Sequence, residues 1–113
     1  MSFFVEEFEK YSVITSKVEK LDASNASLLK DELSVLNKKG VNRLVINLIS
    51  TKYCDSSGLS AILIASRFCK DKSGYFVLAG LQPNVQKLIS ISQLDKVLTI
   101  TSTLDQAIEV LCA

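Results

Sequence analysis

The residues of this chain that could do chemistry are concentrated in one short stretch, Asp55-Ser56-Ser57-Gly58, within the sequence YCDSSGLSAIL. Asp and Ser oxygens often cap the first turn of a helix, because they accept hydrogen bonds from its free amides. A serine hydroxyl at a helix start can also be exposed enough for another protein to add a phosphate. Residue chemistry by itself favours a plain cap, and both roles are compatible in one stretch.

Other signs of catalysis are absent from the sequence. The chain contains no histidine, which removes the usual general base and the commonest metal ligand. Its three cysteines, Cys54, Cys69 and Cys112, show no CxxC spacing, so they predict neither a disulfide framework nor a zinc site. Cys54 could be a redox thiol at a helix start, but a packing role is favoured for all three. We expect no enzyme activity, catalytic residue, metal or cofactor.

Length and charge limit the class of protein. With 113 residues and 48% hydrophobic residues, the chain is predicted to form one domain over 1–113. Thirteen basic and twelve acidic residues leave a formal charge of +1, which predicts no nucleic-acid or membrane partner. The amino terminus is acidic where a secretion signal would be basic, and no apolar run is long enough to cross a bilayer. We therefore expect a cytoplasmic protein.

Hydrophobic periodicity predicts the elements that position the stretch. Helices are predicted after Asp22, from Asp55, from Pro83 and from Ser102, where Asp22 is interpreted first as an N-cap and Ser102 with Asp105 as a capping box. Strands are predicted over 3–8, 12–18, 43–48 and 75–80, and around Leu98. This alternation with right-handed crossovers predicts the α/β class, with a central, mostly parallel sheet of about four to five strands flanked by about four helices.

The order of elements suggests where a binding site would lie. Sites in α/β sheets gather at the carboxyl ends of buried strands, and the polar stretch follows the nearly continuous apolar strand 43–48. Asp22 ends the first strand and could lie near Asp55 at the same sheet edge. An apolar stripe in the following helix is predicted to be core, with Ser60 at its exposed margin; the stripe comprises Leu59, Ile62, Leu63 and Phe68.

The stretch CDSSGLSAIL resembles the signature of the STAS domain of bacterial anti-sigma factor antagonists, in which D-S-[ST]-G-L begins the helix after a central strand. EKLDASNASLLKDEL before it and LAGLQPNVQKLISISQLDKVLTI after it agree with the family in order and spacing. The likeness extends over residues 11–111 and implies a single STAS-type domain. The acid-rich amino terminus and the Tyr53-Cys54 pair depart from the family pattern, which bears on the identity of the partner.

The resemblance implies a regulated binding function. Ser56 matches the serine that an anti-sigma factor serine kinase phosphorylates, with Ser57 as the alternative, and a serine phosphatase would remove the phosphate. The unmodified protein would bind the kinase and free the sigma factor, and phosphorylation would end this binding. The free amides of the helix start would accommodate the phosphate. The implied partner-binding residues are Asp22, Asp55, Ser56, Ser57, Gly58, Leu59 and Ser60.

Two other functions stay open at the level of sequence. The same domain could be a regulatory or scaffold subunit of a transporter or of a stressosome-like assembly. An enzyme or a nucleotide-binding protein could use the stretch from Asp55 to Gly58, although the sequence has no P-loop or GxGxxG pattern.

Overall fold

An α/β fold is seen in the computed structural model, which describes residues 2–113. Within those residues the strands are β1 Phe3–Glu7, β2 Ser12–Ser16, β3 Lys20–Leu21, β4 Arg43–Asn47, β5 Tyr53–Cys54, β6 Tyr75–Ala79 and β7 Thr99–Thr101. The helices are α1 Ala26–Lys38, α2 Ser56–Asp71, α3 Pro83–Ile91 and α4 Leu104–Cys112. The main sheet has the order β1-β2-β4-β6-β7, and only β1 runs antiparallel to its neighbour. The predicted fold class is therefore confirmed.

The core lies on both faces of this sheet, because successive side chains of a strand point to opposite faces. Leu44 and Ile46 of β4 lie in a large core shared with α1, α2 and α3. Val45, on the opposite face, packs in a smaller core that includes Leu111 of α4. β4 is the middle strand of the sheet, as its continuous apolar sequence predicts.

The end of α1 is closed by a glycine. Gly40 has a φ of +83°, a left-handed conformation that costs glycine little. The amides of Gly40 and Val41 donate to the carbonyls of Asn37 and Leu36, each at 3.1 Å. These two bonds form a Schellman motif, which directs the chain from α1 into β4.

The strands over 3–8, 43–48 and 75–80 each end one residue earlier than predicted, and two others differ more. The strand expected over 12–18 ends at Ser16, and the last strand is confined to Thr99–Thr101. Leu98 lies just before that strand, where its amide donates to the carbonyl of Leu94 at 2.8 Å. Leu94–Lys96 form a single 3₁₀ turn, although the β-branched residues that follow the turn suggested an extended strand.

The N-cap of α4 lies one residue later than predicted, so the assignment of a capping box to Ser102 and Asp105 is wrong. Thr103 is the N-cap, and its side-chain oxygen accepts a hydrogen bond from the amide of Gln106 at 3.2 Å. The Gln106 side chain accepts one from the amide of Ser102 at 3.0 Å, whereas in a capping box it would accept from the N-cap amide itself. The extended backbone at Thr103 is typical of an N-cap.

A second, two-stranded parallel sheet was not predicted. It consists of β3 and β5, and we call it the β3–β5 ribbon. Strands of two residues are too short to show a hydrophobic period. The ribbon carries the chain from the main sheet to the start of α2. Among residues 2–113, no helix has both the length and the apolar character needed to span a bilayer.

Candidate functional site

Asp55 caps α2, which decides between the two candidates, Asp55 and Ser56, that the sequence left open. Its backbone is extended, and its carboxylate Oδ1 accepts hydrogen bonds from the amides of Ser57 at 2.9 Å and Gly58 at 3.1 Å. The first bond of the helix proper runs from the amide of Leu59 to the carbonyl of Asp55 at 3.0 Å. One carboxylate thus satisfies two of the amides that a helix start leaves without internal partners.

Ser56 is the first residue of α2, and its side chain is exposed. Ser57 in the same turn is half-buried, whereas Ser60, one turn further along the helix, is exposed. Leu59, by contrast, is buried, with 8% of its surface exposed. Asp55, Ser56 and Ser60 are therefore the residues of this stretch that another protein can reach most easily.

Gly58 allows α2 to approach the β3–β5 ribbon closely. A Cβ atom at this position would lie 2.6 Å from Cys54 Sγ and 2.8 Å from both Leu21 Cγ and the Leu21 carbonyl oxygen. Contacts this short are essentially never made by a Cβ atom in a folded protein. Only glycine therefore fits between the first turn of the helix and the ribbon.

Asp22 is not the N-cap of α1, so that prediction is wrong. α1 begins at Ala26 with Asn25 as its N-cap, and Asp22 lies one turn earlier, directly after β3. Its carboxylate accepts hydrogen bonds from the amide and the hydroxyl of Ser24, at 2.9 and 2.6 Å. The Ser24 hydroxyl, and then its amide, hold the pKa of Asp22 below its usual value. The extra turn places a charged carboxylate at the ribbon end.

The ribbon brings Asp22 and Asp55 together. β3 and β5 run parallel with Leu21 opposite Cys54, so the next residue of each strand is an acid. The amide of Asp55 donates to the Leu21 carbonyl at 3.1 Å. Both acids line one cleft of about 400 Å³, whose other lining residues are Lys20, Leu21, Tyr53 and Cys54.

Lys20 and Tyr53 form a wall of this cleft that sequence reasoning missed. The Lys20 Nζ lies 5.9 Å from the centre of the Tyr53 ring, within the range of a cation–π contact. Tyr53 is 47% exposed, so the ring presents an apolar edge beside the two acids. A hydrophobic period could not predict this pair, because Lys20 and Tyr53 lie in strands that are only two residues long.

Cys54 packs beneath the site as a neutral thiol. Burial, and next the charge of Asp55, raise its pKa to about 12. Its Sγ lies 3.4 Å from the Asp55 carbonyl oxygen, which accepts the thiol hydrogen.

Burial likewise raises the pKa of Cys69 to about 12, whereas Cys112 is exposed, so a packing role is wrong for that residue. Within residues 2–113, no three acidic, cysteine or histidine side chains cluster as metal ligands would.

The sequence model of the STAS domain family matches residues 6–107. This chain belongs to the STAS domain family. That match includes Asp22, Asp55 and Ser56, so every element of the site lies inside the STAS domain.

Two relatives of this STAS domain carry a functional name. BtrV of Bordetella bronchiseptica, a candidate anti-sigma factor antagonist, is 32% identical over 72 residues, which are 64% of this chain and 62% of BtrV. The match thus spans less than two thirds of that protein. A candidate anti-sigma factor antagonist of Thermotoga neapolitana is 31% identical over 101 residues, with 86% of this chain and 87% of the relative covered.

Solved structures share the fold of this STAS domain. An anti-sigma factor antagonist from Mycobacterium paratuberculosis superposes with a TM-score of 0.88 at 22% identity, covering 98% of this chain and 93% of that one. The Bacillus cell fate determinant SpoIIAA in its phosphorylated form superposes with a TM-score of 0.75 at 22% identity, covering 96% and 98% of the two chains. At these identities the likeness establishes the architecture.

The cap of α2 can be tested by changing its charge and its oxygen separately. We expect Asp55→Ala to lower the free energy of unfolding by about 1 kcal/mol, because two amides lose their acceptor. Asp55→Asn keeps an acceptor oxygen and should cost less than about 0.5 kcal/mol. Urea denaturation of both variants measures the difference, with Asp31→Ala on the exposed face of α1 as the control. Equal losses for Ala and Asn would contradict a capping role.

Proposed function

We propose that this STAS domain is an anti-sigma factor antagonist controlled by phosphorylation of Ser56. The unmodified protein binds a cognate anti-sigma factor serine kinase, which then releases its sigma factor. Phosphorylation ends that binding, and a serine phosphatase restores it. The observation that carries the proposal is the exposed Ser56 at the first residue of α2, beside the capping carboxylate of Asp55.

The comparisons support this proposal. Two relatives that are 32% and 31% identical to this chain over the aligned residues bear the name of candidate anti-sigma factor antagonists. SpoIIAA, which has the same fold, has been solved in an unphosphorylated and a phosphorylated form. A fold that exists in both forms is compatible with a phosphate added at its surface.

The local hydrogen bonds explain how one phosphate would act. The sequence suggested that free amides at the helix start would accommodate the phosphate, but Asp55 already occupies those of Ser57 and Gly58. A phosphate on Ser56 adds roughly −1.5 to −2 charges next to that carboxylate. It would also reverse the formal charge of +1. The added charge stays at the surface, where a partner would have to bury it.

Burial of that charge is the proposed switch. Little hydration free energy is lost when a partner covers an uncharged hydroxyl. A phosphate dianion beside a carboxylate would instead lose its bound water without gaining a matching cation, which is costly. The helix itself keeps its cap from Asp55, so the fold persists in both states. Phosphorylation therefore changes binding and leaves the architecture intact.

In this proposal the chain is a substrate and a binding protein. Its Ser56 hydroxyl receives the phosphate from ATP on the kinase and loses it to water on the phosphatase. Lys and Arg nearly balance Asp and Glu in number, which is why we propose no nucleic acid and no membrane among its partners. The cytoplasm, where sigma factors act, is the proposed compartment.

Phosphorylation in vitro is the direct test. The purified chain is incubated with the anti-sigma factor serine kinase of the same organism and ATP, and mass spectrometry locates the phosphate. We expect one phosphate on Ser56, none on Ser56→Ala, and an unchanged extent of phosphorylation on Ser57→Ala, because the proposed acceptor is the hydroxyl of the first helical residue alone. A phosphate on Ser57 in the wild-type chain, or none at all, would count against the proposal.

A further inference from the structure

The β3–β5 ribbon stands apart from the main sheet, and two linkers connect it. Residues 17–19 lead from β2 to β3, and residues 48–52 lead from β4 to β5. The amides of Lys52 and Tyr53 both donate to the Glu19 carbonyl, at 2.8 and 3.1 Å. The position of the ribbon therefore depends on the hydrogen bonds between these two linkers.

Thr51 joins the two linkers and the end of β2 through one hydroxyl. Its Oγ1 lies 2.7 Å from Ser16 Oγ and donates to the Val18 carbonyl at 2.8 Å. A hydroxyl has a single hydrogen, and a carbonyl can only accept. Ser16 must therefore donate to Thr51, which donates to Val18, and the three groups form one directed chain of hydrogen bonds.

The two hydroxyl-bearing residues of this hydrogen-bonded chain are buried. Ser16 and Thr51 are both 0% exposed. Water does not compete for hydroxyl groups that are sealed from solvent, and a buried group without a partner is costly. These hydrogen bonds therefore specify one arrangement of the two linkers more strictly than apolar contacts would, because hydrogen bonds depend on direction and apolar contacts do not.

We propose that Thr51 is a positioning residue for the phosphorylation of Ser56, because its buried hydroxyl locks the β3–β5 ribbon onto the main sheet. This inference rests on the proposed function. Thr51 lies three residues before Cys54, and the ribbon ends at Asp22 and Asp55. If the two linkers separate, Asp22, Asp55 and the first turn of α2 are no longer held in one fixed arrangement. The kinase then meets a site that is correctly arranged for only part of the time.

Amide hydrogen exchange of the protein alone tests the lock. Thr51→Val keeps the shape of the side chain and removes the hydroxyl. We expect the Lys52, Tyr53 and Asp55 amides to lose most of their protection and to exchange at least tenfold faster, while amides of β4 and β6 keep their rates. Thr51→Ser should restore the wild-type rates. The control is Thr101→Val, which removes a hydroxyl that donates to the Thr103 carbonyl at 2.8 Å, next to the edge strand β7.

Kinase assays test the link to function. When the correctly arranged form is populated about a tenth of the time, the apparent affinity falls by the same factor. We therefore expect Thr51→Val to raise the KM for phosphorylation about tenfold with an unchanged kcat, and Ser16→Ala, which removes one bond of the chain, to raise KM less. Thr101→Val should leave both constants unchanged.

The outcomes separate this inference from the proposed function. Equal acceleration of all amides in Thr51→Val would assign Thr51 a purely structural role and overturn the inference. Selective acceleration with an unchanged KM would also overturn it. If wild-type Ser56 receives no phosphate at all, the proposed function fails and the positioning role falls with it, whatever the exchange rates are.

Discussion

Ser56→Asp is expected to bind the kinase about a hundredfold more weakly than Ser56→Ala. The alanine variant presents a small uncharged side chain, whereas aspartate places a second carboxylate beside Asp55 on an exposed first turn. Burial of an unpaired charge at an interface costs a few kcal/mol, and about 2.7 kcal/mol corresponds to a hundredfold change in affinity. Isothermal titration of both variants with the kinase measures this difference.

The control for this experiment is the same charge at a distant position. Ser34 is exposed on α1, away from the cleft of Asp22 and Asp55, so Ser34→Asp should bind the kinase as the wild-type protein does. Circular dichroism should show equal helix content in all three variants. Equal affinities of Ser56→Asp and Ser56→Ala would refute the switch, because charge at Ser56 is its whole basis.

Gly58→Ala is expected to destabilise the fold by about 2 kcal/mol, although alanine favours helices over glycine by about 1 kcal/mol. The added Cβ would meet three atoms at less than 3.0 Å, among them the Leu21 carbonyl oxygen. That oxygen belongs to backbone and also accepts the Asp55 amide, so it cannot move without disturbing the ribbon. The steric cost therefore exceeds the gain in helix propensity. Urea denaturation measures the loss of stability.

A second substitution identifies the cause of this loss. Cys54→Ala removes the Sγ atom that would lie 2.6 Å from the new Cβ, so the double variant should regain part of the lost stability and keep the part due to the Leu21 backbone. Ser57→Ala, the neighbouring residue in the same turn, should change stability by no more than a few tenths of a kcal/mol. If Gly58→Ala were more stable than the wild type, the close approach would not be a constraint.

The long elements of this protein were predictable because their burial patterns repeat over several turns or several strand residues. Strand 43–48 is apolar on both faces because it lies in the middle of the sheet, and α2 was correctly predicted to begin after Asp55. Predictions failed where two local patterns competed. Asp22 and Asn25 both suit an N-cap, and α1 begins after Asn25, whose side chain makes no capping hydrogen bond.

The sequence by itself determined the α/β class and the likeness to the STAS family, and it placed the cap of α2 at Asp55 or Ser56, because these depend on the order of elements and on motifs along the chain. Tertiary structure alone decided that Ser16 and Thr51, 35 residues apart, share a hydrogen bond. It also established that Asp22 and Asp55, which the sequence suggested could lie near each other, share a cleft. It also decided that only glycine fits at position 58. These features depend on contacts between segments that are distant in sequence, and local patterns of residue types do not predict which segments will be in contact.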